Sequence, residues 1–351
     1  MDALIEHVLK GEELNLREIH AATEMLLSED VADEKKASFL RGLTAKGETA
    51  VEIAGFVEAF LERAVDPGVS QMKFSGPTID VCGTGGDKLN LFNVSTTSMF
   101  VIAAGGAVVV KHGNRGITSK SGGADVLEAL GVKIDLSPEG FRKCLEVAGV
   151  GFLFAPIYHP AFKAVVGVRK MLAQEGTRTI FNLIGPLLNP ARPECQLVGV
   201  CDPSMDSVFA EILQRLGRDS AWVVHGSTAD GGPVDEVSLL GPTRICKSGR
   251  YQSLVDEEVK PEDFGMSVCD VLELEGGGAD ENAVILTNIL SGKETGPKRE
   301  IVLLNAGAGL ACAGLADTME QGVQLAAELI DSGQALERLH LLQEVSVMER
   351  L

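Results

Sequence analysis

A change in sequence periodicity at two breaks divides this chain into parts of different structural class. The breaks are Asp66-Pro67-Gly68 and Ser75-Gly76-Pro77, which contain the residues that most often interrupt helices and strands. Before them, apolar residues recur at helical spacing, and after them short β-branched runs alternate with helical stretches. Such alternation predicts a largely parallel sheet with helices on its faces. We therefore expect an α/β protein with a small all-helical domain and a large α/β domain that has a mostly parallel central sheet.

The residues before the first break carry helix signals only. Asn15 with Glu18, and Thr49 with Glu52, have capping-box spacing, and apolar residues follow each pair at helical intervals. Gly47 ends the helix between the two pairs. The segment at about 160–190 also has helical character without strand signals, so we expect it to pack against these helices. The predicted domains are residues 1–72, completed by about 160–190, and residues 73–351.

The chain after the breaks contains further predicted elements, and no internal repeat interrupts it. The predicted strands lie at 79–82, 108–110, 196–200 and 221–224. The predicted helices lie at about 96–104, 122–130, 280–291, 299–314, 318–332 and 333–347.

The overall charge excludes several classes of partner. The 351 residues include 31 Lys and Arg against 50 Asp and Glu, a formal net charge of −19, and 5% are aromatic. A chain this acidic lacks the basic surface and the aromatic stacking platforms of nucleic-acid-binding proteins. The longest apolar runs are broken by glycines and are far shorter than the roughly 20 residues that span a membrane. We expect no nucleic-acid or membrane partner.

The cysteines and the N-terminal sequence favour a cytoplasmic protein. The seven cysteines are scattered and form no CxxC pair, so reduced, buried thiols are favoured over metal ligands. The N-terminal sequence has no basic region followed by an apolar one, which argues against a signal peptide.

A glycine-rich turn follows the first predicted strand. It runs from Asp80 through Gly83-Thr84-Gly85-Gly86 to Asp87, and glycines let backbone N–H groups approach an anion closely. The turn is not a dinucleotide fingerprint, because Lys88 stands where a third glycine is needed. It is not a Walker A loop, because Asp87 precedes that lysine. A plain strand–helix turn is the alternative interpretation.

A second polar turn begins the next predicted helix. Asn93-Val94-Ser95-Thr96 precedes an apolar run, where Ser and Thr are good helix caps and free N–H groups bind phosphate. Capping explains one hydroxyl, but not two successive polar turns after one strand. Ligands of open α/β sheets bind at the carboxyl ends of the strands, so both turns are candidates for one site.

The sharpest site signal is the segment Lys111–Ser121, directly after a predicted buried strand. It combines several cations with two glycines and several hydroxyls. In so acidic a chain this composition predicts a phosphate-binding loop, and a solvated basic loop is the alternative. His112 could act as a general base, but no carboxylate beside it in sequence orients its ring. A structural or substrate-packing role is therefore favoured for His112.

Two further candidates complete the set. Asp235-Glu236 follows the predicted strand at 221–224 and a loop, and adjacent carboxylates suit Mg²⁺ together with substrate phosphates and water. Isolated, such a pair is usually solvated surface, but a polyphosphate pocket needs a counter-cation. Arg169 precedes the polar segment Arg178–Pro190. An arginine in a helix is usually exposed, whereas a functional one would bind a planar carboxylate through two parallel hydrogen bonds.

Taken together and in this order, the motifs resemble those of the anthranilate phosphoribosyltransferases, enzymes of tryptophan biosynthesis. The similarity extends from the N-terminal helices to Gly296–Ala306, which is nearly the whole chain. It implies a pentosyltransferase that moves phosphoribose from phosphoribosyl pyrophosphate (PRPP) to the amine of anthranilate and releases pyrophosphate. It also implies two Mg²⁺ ions per subunit and a homodimer formed through the helical domain.

The resemblance assigns roles to individual residues. The positions that would bind PRPP are Gly83, Gly86, Asp87, Asn93, Val94, Ser95, Thr96, Lys111, His112, Gly113, Asn114, Arg115, Gly116, Ile117, Thr118 and Ser119. Those that would contact anthranilate are Gly83, Asn114 and Arg169, with Arg169 on the carboxylate. Those that would serve Mg²⁺ are Ser95, Asp235 and Glu236. No residue is assigned as a general acid or base, because an aromatic amine is already neutral at pH 7. Alignment and electrostatic stabilisation are expected to dominate.

Two positions depart from the family pattern. Leu91 stands where the family usually has Thr, and Gly123 where it usually has Ser. Both family hydroxyls lie near the phosphates, so the departures bear on PRPP affinity rather than on the type of reaction. Water is expected to fill the gap at Gly123, and Leu91 is expected to pack under its loop.

Two other functions remain as alternatives. Pyrimidine nucleoside phosphorylases share the architecture, but they carry Lys-His-Ser-Thr-Gly-Gly at the first glycine turn, where this chain has Asp80 to Gly86. A non-catalytic nucleic-acid-binding paralogue would be basic and would have lost its substrate motifs. This chain is acidic and keeps Lys111–Arg115.

Overall fold

The computed structural model describes residues 1–116, 120–249 and 254–348. These residues form fourteen α-helices and eight β-strands. The helices are α1 (Asp2–Leu9), α2 (Leu16–Leu27), α3 (Asp33–Lys46), α4 (Ala50–Leu61), α5 (Val94–Ala104), α6 (Gly123–Ala129), α7 (Pro138–Ala148), α8 (Ala155–Tyr158), α9 (Val166–Gln174), α10 (Asp206–Arg215), α11 (Ala279–Leu290), α12 (Pro297–Cys312), α13 (Met319–Asp331) and α14 (Gln334–Val347). The strands are β1 (Thr78–Gly83), β2 (Val108–Gly113), β3 (Val150–Phe154), β4 (Cys195–Gly199), β5 (Ser220–Ser227), β6 (Pro233–Val234), β7 (Thr243–Gly249) and β8 (Val255–Val259).

The N-terminal helices begin and end where their sequence signals predict. Both capping boxes form: the Asn15 side chain accepts from the Glu18 N–H and the Thr49 side chain from the Glu52 N–H, with each glutamate bonded back to its cap. Gly47 follows α3 with a φ of 84°, a value that favours glycine. The first four helices are therefore specified largely by local sequence.

The strands form one mixed sheet, in which β1 lies between β2 and β4. The strand order is β3-β2-β1-β4-β5-β7-β8, and β6 pairs with β5. The pairs among β1 to β5 are parallel, whereas β6, β7 and β8 are antiparallel to their neighbours. The predicted mostly parallel sheet is confirmed. Because β1, β2 and β4 are parallel, their carboxyl ends meet at one edge.

The two faces of the sheet belong to different hydrophobic cores, because successive side chains of a strand point to opposite faces. Val81 and Leu197 lie in the larger core with α5 and α12. Val198 and Val223 lie in a second core that also contains the N-terminal helices and residues of the segment 165–188.

That segment is attached to the N-terminal helices by aromatic and polar contacts. The ring centroids of Phe60 and Phe181 are 5.6 Å apart, and Lys36 Nζ donates to the Ala164 carbonyl at 2.6 Å. The segment contains α9 and short 3₁₀ helices, among them Gly185–Leu187. In the part of the chain that the structure describes, no helix has both the length and the apolar character needed to cross a membrane.

Candidate active site

Lys111 connects three of the predicted motifs at the carboxyl edge of the sheet. It lies near the end of β2 and is 4% exposed. Its Nζ donates to the Val81 carbonyl on β1 and to Ser95 Oγ, at 3.3 Å, in the first turn of α5. Its charge also acts on the nearby Glu236 carboxyl. Lys111 therefore holds the glycine turn, the start of α5 and the carboxylate loop around one point.

The glycine turn after β1 has a backbone shaped for close approach. Two of its residues, Gly85 at 72° and Gly86 at 104°, and two that follow it, Lys88 at 61° and Asn90 at 52°, have positive φ. Left-handed residues of this kind turn successive N–H groups into a concave anion-binding surface. The Gly85 N–H already donates to Asp235 Oδ2 at 2.6 Å. The turn thus contacts the carboxylate loop directly.

The carboxylate loop passes over strand ends that lack side chains. A Cβ built on Gly83 would lie 2.3 Å from Asp235 Oδ2, and one on Gly199 would lie 1.7 Å from the Asp235 carbonyl oxygen. A Cβ on Gly226 would lie 2.4 Å from the Glu236 carbonyl oxygen. Any larger residue at these ends of β1, β4 and β5 would displace the loop.

Burial and mutual repulsion disfavour the charged forms of this carboxylate pair. Burial, reinforced by the charge of Asp87, raises the pKa of Asp235 to about 7. Burial and the charge of Asp235 raise the pKa of Glu236 to about 8, and Lys111 and the Ser95 backbone act in the opposite direction. Such a site gains stability from a cation.

The donor set fits Mg²⁺ by its chemistry. Asp235, Glu236 and Ser95 offer oxygen atoms only, and Mg²⁺ prefers oxygen ligands supplied by one or two carboxylates, phosphates and water. Within residues 1–116, 120–249 and 254–348, no group of three or more His, Cys, Asp or Glu side chains is arranged to hold a metal. Protein carboxylates would therefore share the ion with other oxygens.

The first turn of α5 differs from the capping that the sequence predicts. Asn93 occupies the N-cap position and makes no side-chain cap bond. Its amide donates to the Ser121 carbonyl at 3.1 Å and its Oδ1 accepts from Asn282 Nδ2 at 2.9 Å. Neither Ser95 nor Thr96 caps the helix, because the Ser95 hydroxyl accepts from Lys111 and Thr96 is buried. Asn93 instead ties the loop before α6 to α11.

The side chain of Arg115 lies against the surface of α6. It pairs with Asp125 at 3.3 Å and with Glu128, and its guanidinium lies 5.4 Å from the Phe154 ring centroid. Asp125 also accepts from the Gly116 and Gly122 N–H groups at 2.8 Å each. Asp125 therefore holds Gly116 and Gly122 together, although sequence reasoning gave it no role. Three predicted PRPP residues, Ile117, Thr118 and Ser119, lie outside the described residues.

Two uncharged imidazoles lie beside the end of β2. The rings of His112 and His159 are 5.2 Å apart, edge to face, and His159 Nε2 contacts the Leu188 carbonyl at 2.8 Å. Burial, reinforced by His159, lowers the pKa of His112 to about 3. His112 Nε2 has no hydrogen-bond partner in the described protein. A histidine in this state is a poor general base at neutral pH, as the sequence-based preference for a packing role expects.

Arg169 lies on α9 with its guanidinium 5.5 Å from the Phe181 ring centroid. No carboxylate among the described residues is within ion-pair distance of it. Asn114, the other non-glycine residue predicted to contact anthranilate, is exposed beside the end of β2. Both side chains are accessible to a ligand.

Two protein-family models match the chain. The α/β domain of the glycosyl transferase family matches residues 75–336, and the helical bundle domain of that family matches residues 2–64. An anthranilate phosphoribosyltransferase of Desulfatibacillum aliphaticivorans is 43% identical over 341 residues, covering 97% of this chain and 96% of the relative.

Solved structures agree with these matches. The anthranilate phosphoribosyltransferase of Thermus thermophilus has a TM-score of 0.88 and 38% identity, over 99% of both chains. The Saccharomyces cerevisiae enzyme in complex with PRPP and Mg has a TM-score of 0.84 and 26% identity, over 99% of this chain and 98% of the other. This chain belongs to the anthranilate phosphoribosyltransferase family. Neither the phosphorylase nor the nucleic-acid-binding alternative is favoured.

Both departures from the family pattern are adjacent to the site just described. Gly123 is the first residue of α6, and a Cβ built there would lie 3.1 Å from Thr96 Oγ1 and 3.8 Å from Lys111 Cε. Leu91 is partly buried, packs against the larger core and bridges to Glu275. That Leu91 also packs under the glycine turn and holds its shape stays a prediction.

Proposed function

We propose that this chain transfers phosphoribose from PRPP to the amine of anthranilate, giving N-(5-phosphoribosyl)anthranilate and pyrophosphate, in tryptophan biosynthesis. The observation that carries the proposal is the convergence on Lys111. A glycine turn, a helix N-terminus, the buried Asp235 and the half-buried Glu236 meet at one strand edge, which is the chemistry that a magnesium–diphosphate substrate requires.

The PRPP side of the site is assigned to the backbone amides of the glycine turn and of the first turn of α5. The α5 amides are open to an anion, because no side chain caps that helix. Lys111 supplies the positive charge that keeps Ser95 and Glu236 together. Arg115 joins the PRPP site only by exchanging its carboxylate partners on α6 for phosphate.

Ser95, Asp235 and Glu236 would hold Mg²⁺, and we propose two ions per subunit. Bound Mg²⁺ supplies charge neutralisation for the departing pyrophosphate. The raised pKa values of both carboxyls show how strongly the protein alone disfavours two negative charges there. The carboxylates position this charge, and the glycine ends of β1, β4 and β5 position the carboxylates.

The acceptor side is assigned to Gly83, Asn114 and Arg169. Arg169 would bind the anthranilate carboxylate, since its guanidinium lies over Phe181 without a protein carboxylate as partner in the described chain. The aromatic amine needs no strong base, and the uncharged His112 is suited to packing against it. Rate acceleration would come from alignment and electrostatic stabilisation.

We further propose a homodimer formed through the helical domain. Leu16 on α2 and Val51 on α4 are 64% and 46% exposed. They lie close together, because a Cβ on Gly55, one turn beyond Val51, would be 3.5 Å from Leu16 Cδ2. A second copy of this chain would bury that surface. The free thiols of Cys82, Cys201, Cys246 and Cys269 support a cytoplasmic location.

The test is pyrophosphate release measured with PRPP, anthranilate and Mg²⁺, with each omitted in turn. We expect release only when all three are present. Asp235→Ala is expected to lose most of the activity, whereas Asp256→Ala, which removes an exposed carboxylate paired with Arg244, is expected to retain it. Phosphorolysis of a pyrimidine nucleoside without anthranilate-dependent release would instead support the phosphorylase alternative.

A further inference from the structure

A buried polar network connects β1, β4 and the turn at residues 185–189. Asp80 on β1 and Gln196 on β4 are directly paired in the sheet, so their side chains share one face. Both are fully buried. Buried polar side chains of this kind need partners, and the partners found here converge on residues 185–189, which we call the acceptor turn.

Asp80 anchors the far end of the acceptor turn. Its Oδ2 accepts from Asn189 Nδ2 at 2.8 Å, and its Oδ1 accepts from the His112 backbone N–H at 3.3 Å. The same Asn189 amide donates to the Val110 carbonyl at 2.7 Å. One carboxylate thus connects the turn to the end of β2, where His112 begins the basic loop.

Gln196 anchors the near end of the turn. Its Nε2 donates to the Pro186 carbonyl at 2.6 Å, and its Oε1 accepts from Arg218 Nε at 3.1 Å. Arg218 is 5% exposed and its Nη2 has no partner in the described structure. The charges of Arg218 and Asp80 act on each other within this network. The face therefore contains a buried carboxyl, whose pKa is raised by burial, and a buried guanidinium, joined through amides.

The acceptor turn is also connected to both imidazoles of the site. The Leu188 carbonyl bonds His159 Nε2, and His159 packs edge to face on His112. None of Asp80, Asn189, Gln196 and Arg218 has been assigned to either substrate, whereas His112, whose backbone N–H donates to Asp80, is a predicted PRPP residue. The Gln196 side chain contacts Pro186, Arg218 and Cys82. In the described chain, no hydrogen bond of the network ends on Ser95, Asp235 or Glu236.

We propose that Asp80 and Gln196 are positioning residues for the acceptor substrate. They fix the acceptor turn from below, and through it the two imidazoles beside which the aromatic amine binds. This inference rests on the proposed function. It predicts that loosening the network weakens anthranilate recognition while PRPP recognition is kept.

The test compares two matched amide-to-carboxylate changes. Gln196→Glu keeps an acceptor for Arg218 but removes the N–H that holds Pro186. Asn305→Asp makes the same change at an equally buried amide, which holds the backbone of Val237 directly after the carboxylate pair. For Gln196→Glu we expect KM for anthranilate to rise about 10-fold and KM for PRPP to change less than about twofold. For Asn305→Asp we expect the reverse.

Each outcome decides the question. A folded Gln196→Glu with both KM values unchanged, or raised equally, would overturn the proposal. If that variant does not fold, Asp80→Asn/Gln196→Leu/Arg218→Met removes the bond to Pro186 together with both buried charged groups, and buried ion pairs that are removed as a whole are often tolerated. The same anthranilate-specific loss is expected there. Failure of both variants to fold would show that the network serves stability alone and would also overturn the proposal. Wild-type protein without anthranilate-dependent pyrophosphate release would refute the proposed function instead.

Discussion

The Asp235–Glu236 pair makes the stability of the metal-free protein depend on pH in an unusual direction. Ordinary carboxyls of unfolded chains have pKa values of about 3.9 for Asp and 4.3 for Glu. Burial and mutual repulsion raise the native pKa values to about 7 and about 8. At pH values between the unfolded-state and the native-state pKa values, the native state binds more protons than the unfolded chain. The free energy of unfolding therefore falls as pH rises through this window, whereas salt-bridged carboxylates give the opposite slope.

The size of the effect follows from the two shifts. Each extra proton bound by the native state changes the free energy of unfolding by about 1.4 kcal/mol per pH unit. At pH 6 both groups are mostly protonated, and at pH 8.5 both are mostly ionised. The pair should thus lower the free energy of unfolding by on the order of 4 kcal/mol between pH 6 and pH 8.5. Below about pH 4 the pair no longer makes the free energy of unfolding depend on pH, because both carboxyls are then protonated in the native and in the unfolded state.

The assay is urea unfolding at several pH values in EDTA, for the wild type and for Asp235→Asn/Glu236→Gln. The double variant keeps the shape of both side chains and removes both titrations. The difference between the two proteins isolates the pair from all other titrating groups, and we expect the variant to gain relative stability as pH rises. Saturating Mg²⁺ with PRPP should reduce the wild-type slope, because cation binding favours the ionised carboxylates. Parallel pH profiles for the two proteins in EDTA would falsify the proposed burial and repulsion.

Four further predictions concern single positions. Arg169→Ala should raise KM for anthranilate about 10- to 100-fold through loss of a charge-assisted pair, with little change for PRPP, and equal losses in steady-state kinetics would make Arg169 structural. Gly123→Ser should leave KM for PRPP unchanged or slightly lower, because the added Cβ makes only one close contact, 3.1 Å from the Thr96 hydroxyl. Leu91→Thr should leave KM for PRPP unchanged or raise it. It should also lower Tm, because it removes packing against the core. A several-fold gain from Leu91→Thr would contradict this. Leu16→Glu should convert the dimer into a monomer, as measured by light scattering. The control Leu272→Glu changes a similarly exposed leucine of the α/β domain and should leave the dimer intact. A monomeric wild type at micromolar concentration would refute the interface.

Sequence reasoning located the strands whose signals are local and missed those specified by tertiary contacts. The strands β1, β2, β4 and β5 are apolar runs, and all were predicted. The strand β3 contains Gly151, which weakens a strand signal. The structure explains that glycine, because a Cβ there would lie 2.5 Å from Phe141 Cε2. The strand β8 is acidic and half exposed at the edge of the sheet, so its sequence lacks the apolar alternation that predicts a strand.

The same distinction applies to the candidate site. Parallel strands place their carboxyl ends at one edge, so the glycine turn, the start of α5 and Lys111 could be brought together from sequence alone. The partners of Arg115 could not, because Asp125 and Glu128 lie ten or more residues further along the chain, on α6. Asp80 and Gln196 carried no visible signal either, since their relation is a register between strands separated by more than one hundred residues. The sequence alone does not show which residues of two strands are paired in the sheet.

Gly83 shows how a correct assignment can still be incomplete. Its place in a glycine-rich turn predicts a backbone that approaches an anionic substrate. The structure adds an independent requirement, because Asp235 Oδ2 occupies the space that a Cβ at residue 83 would need. Gly199 and Gly226 impose the same condition on the loop from neighbouring strands. Substitution of Gly83 would therefore act on the substrate and on the carboxylates at once. Its kinetic effect could not by itself assign Gly83 to PRPP, to anthranilate or to Mg²⁺, which is why the side chains of Arg169, Gln196 and Asn305 are the sharper probes.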